Sequence, residues 1–356
     1  MQLYNNLSNN ERADLIKKAG KDRLTISFYK YAKIGNPELL RNHLFIFWNS
    51  IDILGRIYVA HEGINAQLSV PAENFNVFKA HLDTISFLEH VRLNIAIEQD
   101  MFSFLKLKVK VRAKIVADGL NDDTFDVTDI GTHVDAEKFN ELIEDENTVL
   151  VDMRNHYESE IGHFKNAVTP DVDTFRDSLD LIEDQLKEHK ESKKLVMYCT
   201  GGIRCEKASA YYKHKGFKNV YQLEGGIINY ARQVSTLGLE NKFLGKNFVF
   251  DQRRAEKISD EVIAQCHQCG APADIHVNCA NEACHLLFIQ CDSCKETMEN
   301  CCSSSCTEIN RLPYEQQKAL RKGQVNSNDI FKKGRADHLP YKKDLRNIFE
   351  TLQKQP

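Results

Sequence analysis

Apolar and polar positions alternate through Leu24-Thr25-Ile26-Ser27-Phe28-Tyr29, the two-residue period of a strand. From Pro37 to Phe47 the spacing turns helical, with Pro37 acceptable in a first turn. Ile57 to Ala60 and Asn65 to Val70 read as paired strands around Gly63. Ala72 to Leu88 predicts a second helix, and Val91 to Ile97 another strand. The order β-α-β-β-α-β predicts a ferredoxin-like α+β sandwich over residues 1–118. Residues 1–21 are polar and predict a short helix too poor in apolar residues to form a core.

After a linker at Ala117 to Asp123, short apolar runs alternate with helical patterns. Val134 to Ile143 predicts a helix with Asp135 as its N-cap, and Val149-Leu150-Val151 a strand. Asp173 to Lys190 predicts a long amphipathic helix. Leu195-Val196-Met197-Tyr198 predicts a buried parallel strand, and Glu206 to Lys215 a helix closed by Gly216. This rhythm predicts an α/β domain with a parallel sheet over 119–240, its compact unit running from about Asp126 to Val234. Residues 241–356 form a third, cysteine-rich region.

Composition sharpens the picture in two places. The net charge of −4 gives no global sign of nucleic-acid binding, so any basic surface is local. One local stripe exists: Lys106, Lys108, Lys110, Arg112 and Lys114 alternate with Leu105, Leu107, Val109, Val111 and Ala113. As a strand, this places all the basic groups on one face. That face suits RNA phosphates and equally suits a lysine-guarded sheet edge. The start of the chain lacks a signal-peptide pattern and no apolar run is long enough to span a membrane, so the expectation is a cytoplasmic protein without a membrane partner. Disulfides are rare there, yet the chain has 11 cysteines.

Nine of them lie between Cys266 and Cys306: Cys266/Cys269, Cys279/Cys284, Cys291/Cys294, then Cys301, Cys302 and Cys306. Thiolates a few residues apart suit tetrahedral zinc, and eight of them serve two ions. Alternating pairing gives Cys266, Cys269, Cys291 and Cys294 to one ion. It gives Cys279, Cys284, Cys306 and one of Cys301 or Cys302 to the other. Sequential pairing is the alternative, and an iron–sulfur cluster fits less well. Such metals would hold together a module with little apolar core.

The other two cysteines flank the chemically richest stretch, Cys199-Thr200-Gly201-Gly202-Ile203-Arg204-Cys205. It follows a strand and precedes a helix, where reactive groups sit in open α/β sheets. Glycines at 201 and 202 let successive N–H groups of Thr200, Gly201, Gly202 and Ile203 turn inward as an anion cradle. Arg204 adds a fixed positive charge with a planar donor fork. A thiol there loses its proton readily, and the thiolate is the nucleophile. Cys205 is either a second thiol for Cys199 or a small apolar packing residue. His133 and Asp135 have the spacing of iron ligands, but Asp135 is better explained as a cap. His156 and His163 are poor candidates for a base serving Cys199.

The loop Cys-x-x-x-x-Arg resembles that of rhodanese domains; relatives that handle phosphate or arsenate have one more residue in it. Val149 to Arg154, Glu158 and Gly162 to Ala167 resemble the first signature of that family, and Val220 to Ile227 its closing strand and turn. With His61-Glu62-Gly63-Ile64-Asn65 and His276-Val277-Asn278-Cys279, the whole chain resembles the bacterial rhodanese-like tRNA uridine hydroxylases. The resemblance implies an acylphosphatase-like first domain. It also implies oxygen-dependent conversion of the wobble uridine of tRNA to 5-hydroxyuridine, with Cys199 essential and acting through a persulfide. Molecular oxygen is then a co-substrate, tRNA rather than DNA the partner, and a sulfur-donor protein a further one. No dinucleotide-binding fingerprint is present. The rival readings are a sulfurtransferase passing sulfur to a thiol or cyanide, and a non-catalytic RNA-binding module.

Overall fold

The computed structural model describes residues 9–322 and 336–341. Lys342, Lys343 and Arg346, further basic candidates for RNA contact, lie outside the described residues. The first domain opens with α1 (Asn9–Ala19), followed by β1 (Arg23–Tyr31), α2 (Pro37–Ser50), β2 (Leu54–Ala60), β3 (Gly63–Pro71), α3 (Phe75–Asp83), β4 (Asn94–Ile95) and β5 (Leu107–Val111). The Asn36 side chain caps α2 by accepting from the Leu39 N–H. The sheet order is β4-β1-β3-β2-β5. Its first four strands are antiparallel neighbours in the ferredoxin-like arrangement, and β5 adds an edge parallel to β2. Alternation in β1 turns Ile26 and Phe28 into a core shared with Trp48, Leu68 and Phe78.

Three expectations for this domain change. The helix expected over 72–88 is reduced to α3 between two single 3₁₀ turns. At its end the Thr84 hydroxyl donates to the His81 carbonyl at 2.6 Å, a local bond that competes with helix continuation. The strand expected over 91–97 pairs only at Asn94 and Ile95, and the Asn94 side chain reaches the next domain. The basic stripe is shorter than its pattern. Lys108, Lys110 and Arg112 are exposed, but the strand ends at Val111 and Lys114 is drawn into ion pairs with Asp118 (2.6 Å) and Asp122 (2.9 Å). Lys114 therefore leaves the stripe, and Lys106 stands just before the strand, half-buried.

The second domain contains β6 (Thr132–Val134), α4 (Ala136–Ile143), β7 (Thr148–Asp152), α5 (His156–Ser159), β8 (Gly162–Phe164), α6 (Phe175–Leu186), β9 (Lys194–Tyr198), α7 (Ile203–His214), β10 (Asn219–Leu223) and α8 (Gly226–Leu237). Asp135 caps α4 by accepting from the Lys138 N–H, which accounts for it without iron. β6-β10-β9-β7 form a parallel sheet. Helices cover both faces: Phe175, Leu179 and Tyr212 fill one core, and Phe139, Ile227 and Tyr230 the other.

The third region starts on the second. β11 (Phe243–Phe248) pairs with β8 and with β12 (Ala255–Lys257). The hairpin β13 (His276–Asn278) and β14 (Leu287–Ile289) follows, then α9 (Asp292–Thr297), α10 (Ser304–Asn310) and α11 (Tyr314–Arg321). Its small core includes Cys279, Leu286, Phe288, Cys302 and Leu339. Among the described residues no helix is long and apolar enough to cross a membrane.

Candidate active site and metal centres

β9 is flanked by β10 and β7, so the loop after Tyr198 leaves from the middle of the parallel sheet. Gly202 takes φ +101°, which L side chains rarely adopt. That turn makes Gly202 the N-cap of α7 and points its N–H at Cys199 Sγ, 3.1 Å away. α8 holds the loop from behind: Ile227 N–H donates to the Cys199 carbonyl and Ile228 N–H to that of Thr200. Gly226 permits this approach, since a Cβ there would lie 2.5 Å from the Cys199 oxygen.

Cys199 is fully buried. Burial alone pushes its pKa up, but hydrogen bonding from the Cys205 thiol, the Arg204 charge and the N–H groups of Arg204 and Gly202 outweigh it. The net result is a pKa lowered to about 6. Cys205 shifts the other way: burial and the neighbouring Cys199 hold it well above the ordinary thiol value. One sulfur is thus the thiolate and the other its hydrogen-bond donor. Arg204 acts differently from the free donor fork that its position suggested. Its two terminal nitrogens are engaged by Glu158, at 2.7 and 2.8 Å, in a buried bidentate pair. It stabilises the thiolate by charge and by its backbone N–H rather than by gripping an anion with its fork.

The first domain closes over this loop. Tyr29 Oη lies 2.7 Å from where a Cβ on Gly202 would stand and donates to Glu206 at 3.0 Å. Tyr31 Oη donates to the Ile203 carbonyl at 3.3 Å, and Asn94 reaches the Gly201 carbonyl at 3.5 Å. Lys207, on the first turns of α7, is 2% exposed and crosses back to Glu62 (2.8 Å) and to Asp122 (2.5 Å). Beside the loop these two domains enclose a cavity of about 1130 Å³, bordered by Tyr29, Tyr31, Arg92, His133, Gly201 and Glu206 among others.

In the third region, the sulfurs of Cys266, Cys269, Cys291 and Cys294 converge, as do those of Cys279, Cys284, Cys302 and Cys306, each set within 4.8 Å. Four thiolates at about 2.3 Å from one zinc would stand about 3.8 Å apart. The Cys269–Cys291, Cys284–Cys302 and Cys302–Cys306 separations are 3.6, 3.6 and 3.7 Å. Each set can therefore hold a metal ion, and the pairing alternates along the chain. Cys301 belongs to neither set: it is fully buried, and its carbonyl accepts from Gln268 and Gln290. Of the adjacent pair only Cys302 joins a set. The Cys302 N–H donates to Cys279 Sγ and Asn281 to Cys306 Sγ, both at 3.4 Å, bonds that orient sulfurs holding a metal and share their charge.

Three family models match in series: a UPF0176 acylphosphatase like domain over residues 23–115, a rhodanese-like domain over 135–233 and a rhodanase C-terminal domain over 244–307. A protein of Leptospira interrogans named tRNA uridine(34) hydroxylase is 56% identical over 313 residues, covering 88% of this chain and 85% of its own. One of Pectobacterium carotovorum and one of Photorhabdus laumondii with the same name are 52% and 51% identical over 334 residues, covering 94% of this chain and 94% and 95% of their own. The chain belongs to the rhodanese-like tRNA uridine hydroxylase family. In this family member the loop residues 199–205 stand together, the eight metal-set cysteines stand in two groups, and the basic stripe lies apart from both on the far edge of the first domain's sheet. Sequence reasoning missed Tyr29, Glu206 and Lys207 as wall residues and weighed His133 only for iron. Their partners lie 73 to 177 positions away, beyond any local signal.

Proposed function

We propose that this protein hydroxylates C5 of the uridine at position 34 of tRNA, giving 5-hydroxyuridine. The similarity to three so-named hydroxylases across all three regions of the chain carries the reading. Cys199 is the reactive group: its depressed pKa keeps it a thiolate at neutral pH, able to act directly or, once charged by a sulfur-donor protein, as a persulfide. Gly202 and the Arg204 N–H hold the charge on sulfur, and Glu158 fixes Arg204. One atom of molecular oxygen is inserted at C5 and the other leaves as water, with two electrons and two protons taken from an external reductant. Lys106, Lys108, Lys110 and Arg112 contact the RNA backbone, and two zinc ions hold the region after 241 in shape. No nucleotide cofactor takes part, and the work is done in the cytoplasm. Residues 1–118, 119–240 and 241–356 act as lid and RNA platform, catalytic domain and metal module.

The test is growth of a gene-deleted strain carrying this gene or an empty vector under heavy-isotope oxygen gas. Nucleoside mass spectrometry of its tRNA follows. Isotope-labelled 5-hydroxyuridine that returns only with the gene supports the reading. Absence of the nucleoside sinks the activity, and unlabelled nucleoside sinks the oxygen source.

A further inference from the structure

The cavity between the first two domains has a wall whose partly buried charges are mostly matched within the protein, while Lys30, Lys33 and Asp123 are exposed. Four of its carboxylates are at least partly buried: Glu62, Asp122, Glu206 and Glu224. Glu62 faces Lys207 and accepts from the Ile115 N–H at 2.7 Å. Asp122 faces Lys207 and Lys114, and Glu224 faces Arg92. Among the described residues Glu206 meets no lysine or arginine. Its Oε1 accepts from Tyr29 Oη and lies beside His133 Nε2, each at 3.0 Å. Its Oε2 has Gln222 at 3.5 Å. A carboxylate has about four acceptor sites; Glu206 lines the cavity with three donors beside it, so capacity for a further donor remains. Tyr29 and Gln222 hold the carboxylate in place from two sides.

A pyrimidine that undergoes chemistry on its ring must leave the base stack, and enzymes read the extruded base by stacking and by hydrogen bonds to its pairing edge. Uracil offers one N–H on that edge, at N3; cytosine offers a lone pair there. The Tyr29 and Tyr31 rings, edge to face with centroids 6.2 Å apart, supply aromatic wall beside Glu206. Gly201 brings the reactive loop to the same wall. We propose that this cavity receives the extruded base and that Glu206 accepts the uracil N3–H, making it the residue that selects uridine over cytidine. The proposal rests on the uridine-34 reading above. Glu206 raises the His133 pKa, first through the hydrogen bond between them.

The substitution Glu206→Gln separates this role from a structural one. Its Oε1 still accepts from Tyr29 and His133, while an amide NH₂ replaces the Oε2 acceptor and offers a donor to the cytosine lone pair. The experiment measures binding of the full-length, metal-loaded protein to anticodon stem-loops that carry uridine, cytidine or 3-methyluridine at position 34. Wild type is expected to prefer uridine over both others by about ten- to hundred-fold, the worth of one good base-edge contact. Glu206→Gln should abolish or reverse the preference over cytidine at an unchanged melting temperature. Equal wild-type affinity for uridine and 3-methyluridine overturns the proposal without any mutant. An unchanged uridine-to-cytidine ratio in Glu206→Gln overturns it too. If the gene restores 5-hydroxyuridine in the deleted strain while either result holds, only the assignment of Glu206 falls. If wild type binds none of the loops above a scrambled RNA, the uridine-34 reading falls and takes this proposal with it.

Discussion

Cys199 and the eight cysteines of the two metal sets differ in what surrounds the sulfur. Around Cys199 stand N–H donors, one buried guanidinium and a single protonated thiol, so one negative charge is welcomed and left reactive. Around Cys302 stand Cys279, Cys284 and Cys306. Four thiolates so close repel one another, and only a cation makes that geometry stable. The same side chain thus stands singly among donors in one region and in a cluster of four able to hold a metal ion in the other. Donors and acceptors around it decide which, and cysteine content does not.

The largest effect that would break this contrast concerns the cluster. Cys302→Ser should lose one metal ion per chain and unfold the module, because structural zinc contributes on the order of 10 kcal/mol to such folds. Cys301→Ser should keep both ions. Metal content by mass spectrometry together with proteolysis of the region after 241 distinguishes the two. Equal metal loss in both variants would mean that the set is wrongly drawn.

A smaller effect belongs to the buried pair. Glu158→Gln leaves the Arg204 charge unpaired, at a cost of about 3–5 kcal/mol. Thermal unfolding reads that loss, and an unaltered midpoint would contradict the pairing. Next comes the thiolate itself. In the difference spectrum of wild type minus Cys199→Ser, ultraviolet thiolate absorbance should rise with pH around a midpoint of about 6. The sign follows from the shift: the folded pKa lies below the ordinary value, so the charged form persists on acidification down to about 6 and disappears below it. A midpoint at the ordinary thiol value would remove the case for activation. The smallest effect is at the stripe. Replacing Lys108, Lys110 and Arg112 together by Ala should weaken tRNA binding and reduce the slope of log affinity against log salt by about 3. An unchanged slope would make them a guarded sheet edge instead.

How far each part could be read from sequence follows distance along the chain. The loop was legible because strand, cysteine, glycines and helix start fall within about a dozen consecutive residues. The metal pairs were legible for the same reason, and alternation survived as one of two options. Which of Cys301 and Cys302 turns inward depended on packing around Gln268 and Gln290. Arg204 could be placed on the loop, but its partner Glu158 is 46 positions away, and the free fork expected of it is in fact filled. The lid was invisible: Tyr29 meets Glu206 across 177 positions, and nothing in the alternation of β1 marks a tyrosine that faces another domain. Lys114 misled because its spacing continued the stripe while Asp118 and Asp122 pulled it away.

The most direct measurement is the tRNA nucleoside profile of the gene-deleted strain complemented with wild type or with Cys199→Ser. The Cys199→Ser protein is first shown to keep its metal content and melting temperature. The account predicts full return of 5-hydroxyuridine with wild type and at least about a thousand-fold less with Cys199→Ser, the scale set by loss of a catalytic nucleophile. Comparable 5-hydroxyuridine in the two strains would contradict it, and would move the chemistry away from the loop at the end of β9.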